Sequence, residues 1–179
     1  MKVTETTYDD TRRQLGEFTP RLRRFALTLT ASQVDADDLV QSTFERALAS
    51  LQRWEPGTRL DSWLYRIAQN LWIDQRRRAR VRGTTERAED MVLPGEDGRE
   101  VTERKLMVRD AMRALASLPE EQQVVLALVS IEGLSYEEAA KVLNVPRGTV
   151  MSRLARARRA VAAYVLGTPR DRGARTSRG

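Results

Sequence analysis

The chain has no histidine and no cysteine among its 179 residues. The first absence removes imidazole acid–base chemistry and histidine metal ligands. The second removes disulfides, thiolate metal sites and thiol redox sensing. Long apolar runs are also missing. The longest, VVLALVSI from Val124, is far short of the roughly 20 residues a membrane span needs. The opening stretch MKVTETTYDDTRRQ lacks the apolar centre of a signal peptide. No Gly-rich phosphate loop, no Ser/His/Asp set and no carboxylate pair at metal spacing occurs. These absences point away from catalysis. The expectation is a soluble, cytoplasmic protein that is not an enzyme, with no metal, no cofactor, no small-molecule substrate and no membrane insertion.

What is present is helix. The 41% hydrophobic content is enough for packed cores, and the length suits one ordinary domain or two small ones. Lys and Arg outnumber Asp and Glu by 31 to 25, a net charge of +6. That balance favours polyanionic partners, although a solvated basic surface gives the same sum. No alternating β pattern competes anywhere. Periodicity fails only in TTERAEDMVLPGEDGREVT, Thr84 to Thr102, where Pro, Gly and acids cluster. The spacing therefore predicts an all-α chain of two small helical domains, 1–82 and 105–167, joined by a flexible acidic linker over 83–104. A basic tail over 168–179 is expected to be disordered. Whether the two halves pack together stays open.

In the first half, Leu22, Phe25, Ala26 and Leu29 recur at helical spacing. Asp35 is the expected cap of the next helix, with Asp38 at its third position. That helix, DADDLVQSTFERAL, has an apolar stripe and leaves Asp37, Asp38, Gln41, Ser42 and Glu45 outward. An acidic first turn also simply suits the helix dipole, so a docking face and a bland surface both remain open. Asp61 or Ser62 is expected to cap the helix in SWLYRIAQNLWIDQRRR. Arg66, Asn70, Ile73 and Arg77 share an outer face there, beside Gln69, Trp72 and Arg76. Amides, aromatics and cations together suit melted nucleic acid. Trp63 and Trp72, each taken alone, read as core rather than as base contacts.

The second half ends in LSYEEAAKVLNVPRGTVMSRLARARRAV. Pro119 is placed in the first turn of the helix before it, and Gly133 ends that helix. Ser135 and Glu138 form a capping box. Asn144 tolerates a left-handed backbone, and Pro146 restarts the chain as a helix. Val150, Leu154, Ala157, Val161 and Tyr164 make one buried seam. Gly148, Ser152, Ala155, Arg156 and Arg159 point away from it, with Arg147, Arg153 and Arg158 at its flanks. This is a helix–turn–helix with a small, cationic outer face. Small residues let a helix sit deep in a major groove, where arginines meet phosphates or guanines. A merely solvated basic helix is the competing reading.

In these three stretches and their order, from about Leu15 to Tyr164, the chain resembles an extracytoplasmic-function (ECF, group IV) RNA polymerase sigma factor of the sigma-70 family. The resemblance implies that Asp37, Asp38, Gln41 and Glu45 dock on the β′ coiled coil of RNA polymerase core, a partner offering both its β′ and β subunits. It implies that the loop from Trp54 to Asp61, including Leu60, captures a flipped base of the −10 element. Asn70, Asp74, Arg76 and Arg77 would line melted or upstream promoter DNA. Arg147, Thr149, Met151, Ser152, Arg153, Arg156 and Arg159 would engage the −35 element. The acidic linker would thread the RNA-exit path, and an anti-sigma factor would be the usual controlling partner. Asn144 stands where a glycine is common, and Met151 where many relatives carry a cation. A stand-alone helix–turn–helix regulator and a decoy that titrates an anti-sigma factor are the rival readings. The decoy needs no DNA-reading arginines, which this chain keeps.

Overall fold

The computed structural model describes residues 5–51, 54, 59–83 and 103–166, with side chains over 13–51, 54, 59–83 and 110–165. The loop residues 55–58, most of the acidic segment (84–102) and the basic tail lie outside the described residues. In chain order the elements are α1 (Glu5–Thr30), α2 (Gln33–Ala49), α3 (Leu60–Arg82), α4 (Glu103–Ala116), α5 (Glu120–Leu126), α6 (Tyr136–Leu143) and α7 (Arg147–Leu166). A π turn over Ala127–Ile131 continues α5. Among the described residues the fold is all-α, and no helix is long and apolar enough to cross a membrane.

The first half is a three-helix unit. Leu15, Phe18, Leu22, Phe25, Ala26 and Leu29 fall on one face of α1 and are buried. Pro20 lies inside α1 and removes one amide from its ladder. The helix continues past it because buried residues anchor both sides. α2 contributes Leu39, Val40, Thr43 and Ala47, and α3 contributes Leu64, Tyr65, Ala68 and Trp72. The Tyr65 ring meets Phe18 and Phe25 edge-on, with centroids 5.1 and 4.9 Å away.

Two expected caps move. α2 is capped by Ser32, whose Oγ accepts from the Asp35 amide at 3.3 Å. Asp35 therefore sits in the first turn, where its charge still suits the dipole. α3 begins at Leu60, two or three residues ahead of the expected start, and Arg59 precedes it with no side-chain cap bond. Asp61 instead sits in the first turn and accepts from the Ser62 amide at 2.7 Å.

The second half packs α4, α5 and α6 around α7. Pro119 is the cap of α5 rather than part of its first turn, its carbonyl accepting from the Gln122 and Gln123 amides at 2.9 and 3.0 Å. The π turn is a departure from simple periodicity. It closes with the Glu132 amide donating to the Ala127 carbonyl at 3.0 Å, and Gly133 stops the helix at φ 73°. The halves meet where α1 packs on α4 and the π turn, and where α3 packs on α6.

Candidate nucleic-acid interface

The helix–turn–helix is built as its residues dictate. Ser135 Oγ accepts from the Glu138 amide at 3.2 Å, and Glu138 Oε2 accepts from the Ser135 amide at 2.8 Å. Asn144 adopts φ 52°, and the Val145 amide returns to the Ala140 carbonyl at 3.1 Å. α7 then starts at Arg147 and buries Val150, Leu154 and Ala157. Val161 is half-buried and Tyr164 exposed, so the seam fades in the last turns of α7 rather than reaching Tyr164.

Gly148, Met151, Ser152, Ala155, Arg156 and Arg159 are exposed on the outer face, and Thr149 is half-buried beside them. Arg153 is half-buried and pairs with Glu121 at 2.6 Å, while Arg147 lies 3.7 Å from Glu137. Arg159 donates to the Ala155 carbonyl at 3.3 Å, along its own helix. The arrangement presents small residues and guanidinium groups on one rigid face.

α3 carries the second candidate face. Arg66, Asn70, Asp74 and Arg77 are exposed, and Leu60 and Asp61 half-buried at its start. Gln69 turns inward, at 7% exposure, and so leaves the edge of the outer face expected for it, while Trp72, at 2%, takes the core reading. The Trp72 ring, itself buried, takes the Arg76 guanidinium at 5.6 Å from its centroid. Burial alone would raise Asp61, but the Arg59 guanidinium, the Ser62 amide and Arg21 bring its carboxyl below the ordinary value. On α2, Asp37, Asp38, Gln41 and Glu45 are exposed. Asp37 pairs with Arg23 at 2.7 Å, and Gln41 donates to Glu45 at 2.9 Å. This gives a compact acidic and amide surface away from the stripe.

The residues missed from sequence are those that join the halves. The Glu132 side chain is fully buried. Its carboxylate accepts from Arg24 Nε and Nη2 at 2.8 and 2.9 Å and from the Tyr65 hydroxyl at 2.7 Å, with Arg21 at 3.7 Å. Burial first, then the bond to Glu132, pushes the Tyr65 hydroxyl well above its ordinary value. Gln123 Nε2 donates to the Thr28 and Leu29 carbonyls at 3.2 and 3.0 Å, so the second half caps the end of α1. Arg66 Nε reciprocates, donating to the Val142 carbonyl near the end of α6 at 3.1 Å. Terminal carbonyls have no intrahelical donor, so each half satisfies the other's helix end. One sequence signal was available: Glu132 lies four residues beyond buried Leu128, in register with the apolar stripe.

Two family patterns match the chain in order, sigma-70 region 2 over residues 16–82 and sigma-70 region 4 over residues 109–161. The ECF RNA polymerase sigma factor SigE of Mycolicibacterium smegmatis is 40% identical over 148 residues, which cover 81% of this chain and 57% of that protein. The chain thus spans little more than half of that relative's length. The ECF RNA polymerase sigma factor EcfG of Rhodopseudomonas palustris is 35% identical over 166 residues, covering 92% of this chain and 88% of the relative. Among solved structures, the sigma factor RpoE in complex with the anti-sigma factor NepR, from Bartonella quintana, aligns with a TM-score of 0.71 at 30% identity, over 90% of this chain and 99% of that one. CnrH in complex with the cytosolic domain of CnrY aligns with a TM-score of 0.66 at 25% identity, over 87% of each chain. With both regions matched in order, and a relative of similar length at 35% identity, the chain belongs to the ECF sigma factors of the sigma-70 family.

Proposed function

We propose that this chain directs core RNA polymerase to particular promoters and helps melt them to start transcription. It acts as a cytoplasmic specificity subunit and not as an enzyme. Residues 1–82 serve as the docking and −10 domain, 105–167 as the −35 domain, and the acidic 83–104 segment links them through the RNA-exit path. Asp37, Asp38, Gln41 and Glu45 dock on the β′ coiled coil. Leu60, Asp61, Asn70, Asp74, Arg76 and Arg77 serve the −10 region. Arg147, Thr149, Met151, Ser152, Arg153, Arg156 and Arg159 serve the −35 element.

The observation that carries this reading is the outer face of α7. Gly148, Ser152 and Ala155 are small and exposed, and Arg156 and Arg159 stand on the same face over the buried Val150, Leu154 and Ala157. Small residues admit the helix to a major groove, and arginine supplies the planar fork that matches guanine or phosphate. Two of the aligned structures are complexes with NepR and with CnrY. By analogy an anti-sigma factor controls this chain too.

The test is direct. Purified protein is added to core polymerase, and transcripts are mapped from genomic template. Promoter-specific starts that need both components support the reading. Tight duplex binding as a dimer without polymerase, and no specific starts with it, would favour a stand-alone helix–turn–helix regulator.

A further inference from the structure

Met151 stands apart from the other apolar side chains in the first two turns of α7. It is 47% exposed, whereas Val150 and Leu154 are buried. Its neighbours on the outer face are Gly148, three residues before it, and Ala155, four after. Neither has a side chain long enough to cover the thioether. Gly148 adds a separate observation. It is helical, and its φ is not among the left-handed ones, so the backbone does not require glycine. A β-carbon there would meet nothing within 4 Å. Packing within the chain therefore gives no reason for glycine, a poorer helix former than alanine. Close approach of something outside the chain gives one.

We propose that Met151 determines one letter of the −35 element by contacting the C5-methyl group of a thymine, and that Gly148 and Ala155 admit the DNA closely enough for that contact. The proposal rests on the reading of α7 as the −35 helix and deepens it. Methionine has no donor and only a weak acceptor. The base edges in the major groove offer one apolar feature, the thymine methyl. An unbranched, polarisable thioether moulds readily to such a surface. Set against any other base edge, it would take water from a donor or acceptor and replace it with nothing. The same contact that favours a T·A pair thus disfavours the others. The surroundings point to DNA rather than to a protein partner. Arg147, Arg156 and Arg159 are exposed on the same helix and suit phosphates, and no second large apolar side chain in these two turns is open beside Met151.

The probe is a promoter duplex mapped with the parent holoenzyme, with each thymine of the −35 element replaced singly by deoxyuridine. That change removes a methyl group and nothing else. Parent holoenzyme should lose about fourfold in affinity at one position, the worth of one buried methyl group, and little at the others. Met151→Ala should bind the thymine duplex about fourfold less tightly and no longer distinguish thymine from uracil there. Met151→Leu should keep the distinction, and Met151→Arg should shift that position toward guanine. Gly148→Ala should leave the thermal midpoint of the free protein no lower, yet weaken holoenzyme binding to the duplex. A parent that ignores every thymine-to-uracil change, or a Met151→Ala variant that still senses the same one, overturns the methyl contact. If Met151→Ala instead loses affinity for core polymerase and keeps the distinction, the side chain meets protein and not DNA. Gly148→Ala binding as tightly as the parent removes the close approach. Absence of any promoter-specific start with the parent strikes the sigma-factor role and this proposal together. Specific starts with no methyl effect strike only the role of Met151.

Discussion

The Tyr65 hydroxyl on α3 donates to the Glu132 carboxylate at the end of the π turn, 2.7 Å away and 67 residues later in the chain. That bond joins the aromatic centre of the first half to the one buried carboxylate of the second among the described residues.

Alkaline pH should weaken this junction. The Tyr65 hydroxyl is held above its ordinary value, first by burial and then by Glu132, while Arg21 opposes the shift. The unfolded chain loses that proton near pH 10. Above it the unfolded state binds fewer protons than the folded one, so stability falls as pH rises. The contribution is complete below about pH 10, and the slope beyond approaches about 1.4 kcal/mol per pH unit. Arg24, raised by its bond to Glu132, stays charged throughout, and Asp61, lowered by Arg59, stays ionised. Urea midpoints from pH 8 to about 11 should fall more steeply for the parent than for Tyr65→Phe. Equal slopes would place the titration elsewhere. At neutral pH the Phe variant should lose about 1–2 kcal/mol, because Arg24 still satisfies Glu132.

Charge reversal on α2 tests the docking face. Asp38 and Glu45 are exposed, so Asp38→Arg with Glu45→Arg should change stability by no more than about 1 kcal/mol. Affinity for core polymerase should drop at least tenfold, since like charges then meet across the contact. Core affinity equal to the parent's, with helix content unchanged, would remove the docking assignment.

The helix–turn–helix was legible because its signals are local. The Ser135 and Glu138 box, the left-handed Asn144 and the outward Ser152, Ala155 and Arg156 each follow from neighbours within a few residues. The apolar stripe of α2 was legible for the same reason. The caps Ser32 and Arg59 were misplaced by two or three residues, since Asp35, Asp61 and Ser62 are also good capping types. Gln69 was set too far outward because the next helix had to be present to show which face it covers. The pairing at the junction was not legible, although the place of Glu132 four residues beyond Leu128 hinted at its burial. Arg24 and Glu132 are separated by 108 residues, and a single sequence shows no pairing at that distance. The π turn hid it further, because it shifts the register that delivers Glu132.

Loss of Asn70 should affect melting rather than docking. It is exposed on α3, one helical turn from Arg66 and two from Arg77. Asn70→Ala should lower open-complex formation on duplex template by severalfold and leave core affinity unchanged. A premelted template should restore the rate. A loss of equal size on both templates would put the role of Asn70 outside strand opening.

Arg156 and Arg159 share the exposed face of α7, yet their settings differ. Arg159 already lies along its helix, with Nε donating to the Ala155 carbonyl at 3.3 Å. That posture favours a loose phosphate contact one turn from the groove floor. Arg156 stands nearer the small residues Ser152 and Ala155, where the helix can approach base edges. If Arg156 grips a guanine bidentately, Arg156→Ala should cost holoenzyme binding about 1–3 kcal/mol and relax one position of the −35 sequence. Lysine should restore only part of it, because a point charge lacks the planar fork. Arg159→Ala should weaken all sequences alike and lower the salt slope by about one unit. Holoenzyme binding to parent and single-base-changed −35 elements at several salt concentrations separates the two behaviours. If both alanine variants bind and initiate like the parent at every salt, α7 presents a solvated basic face and its −35 role fails.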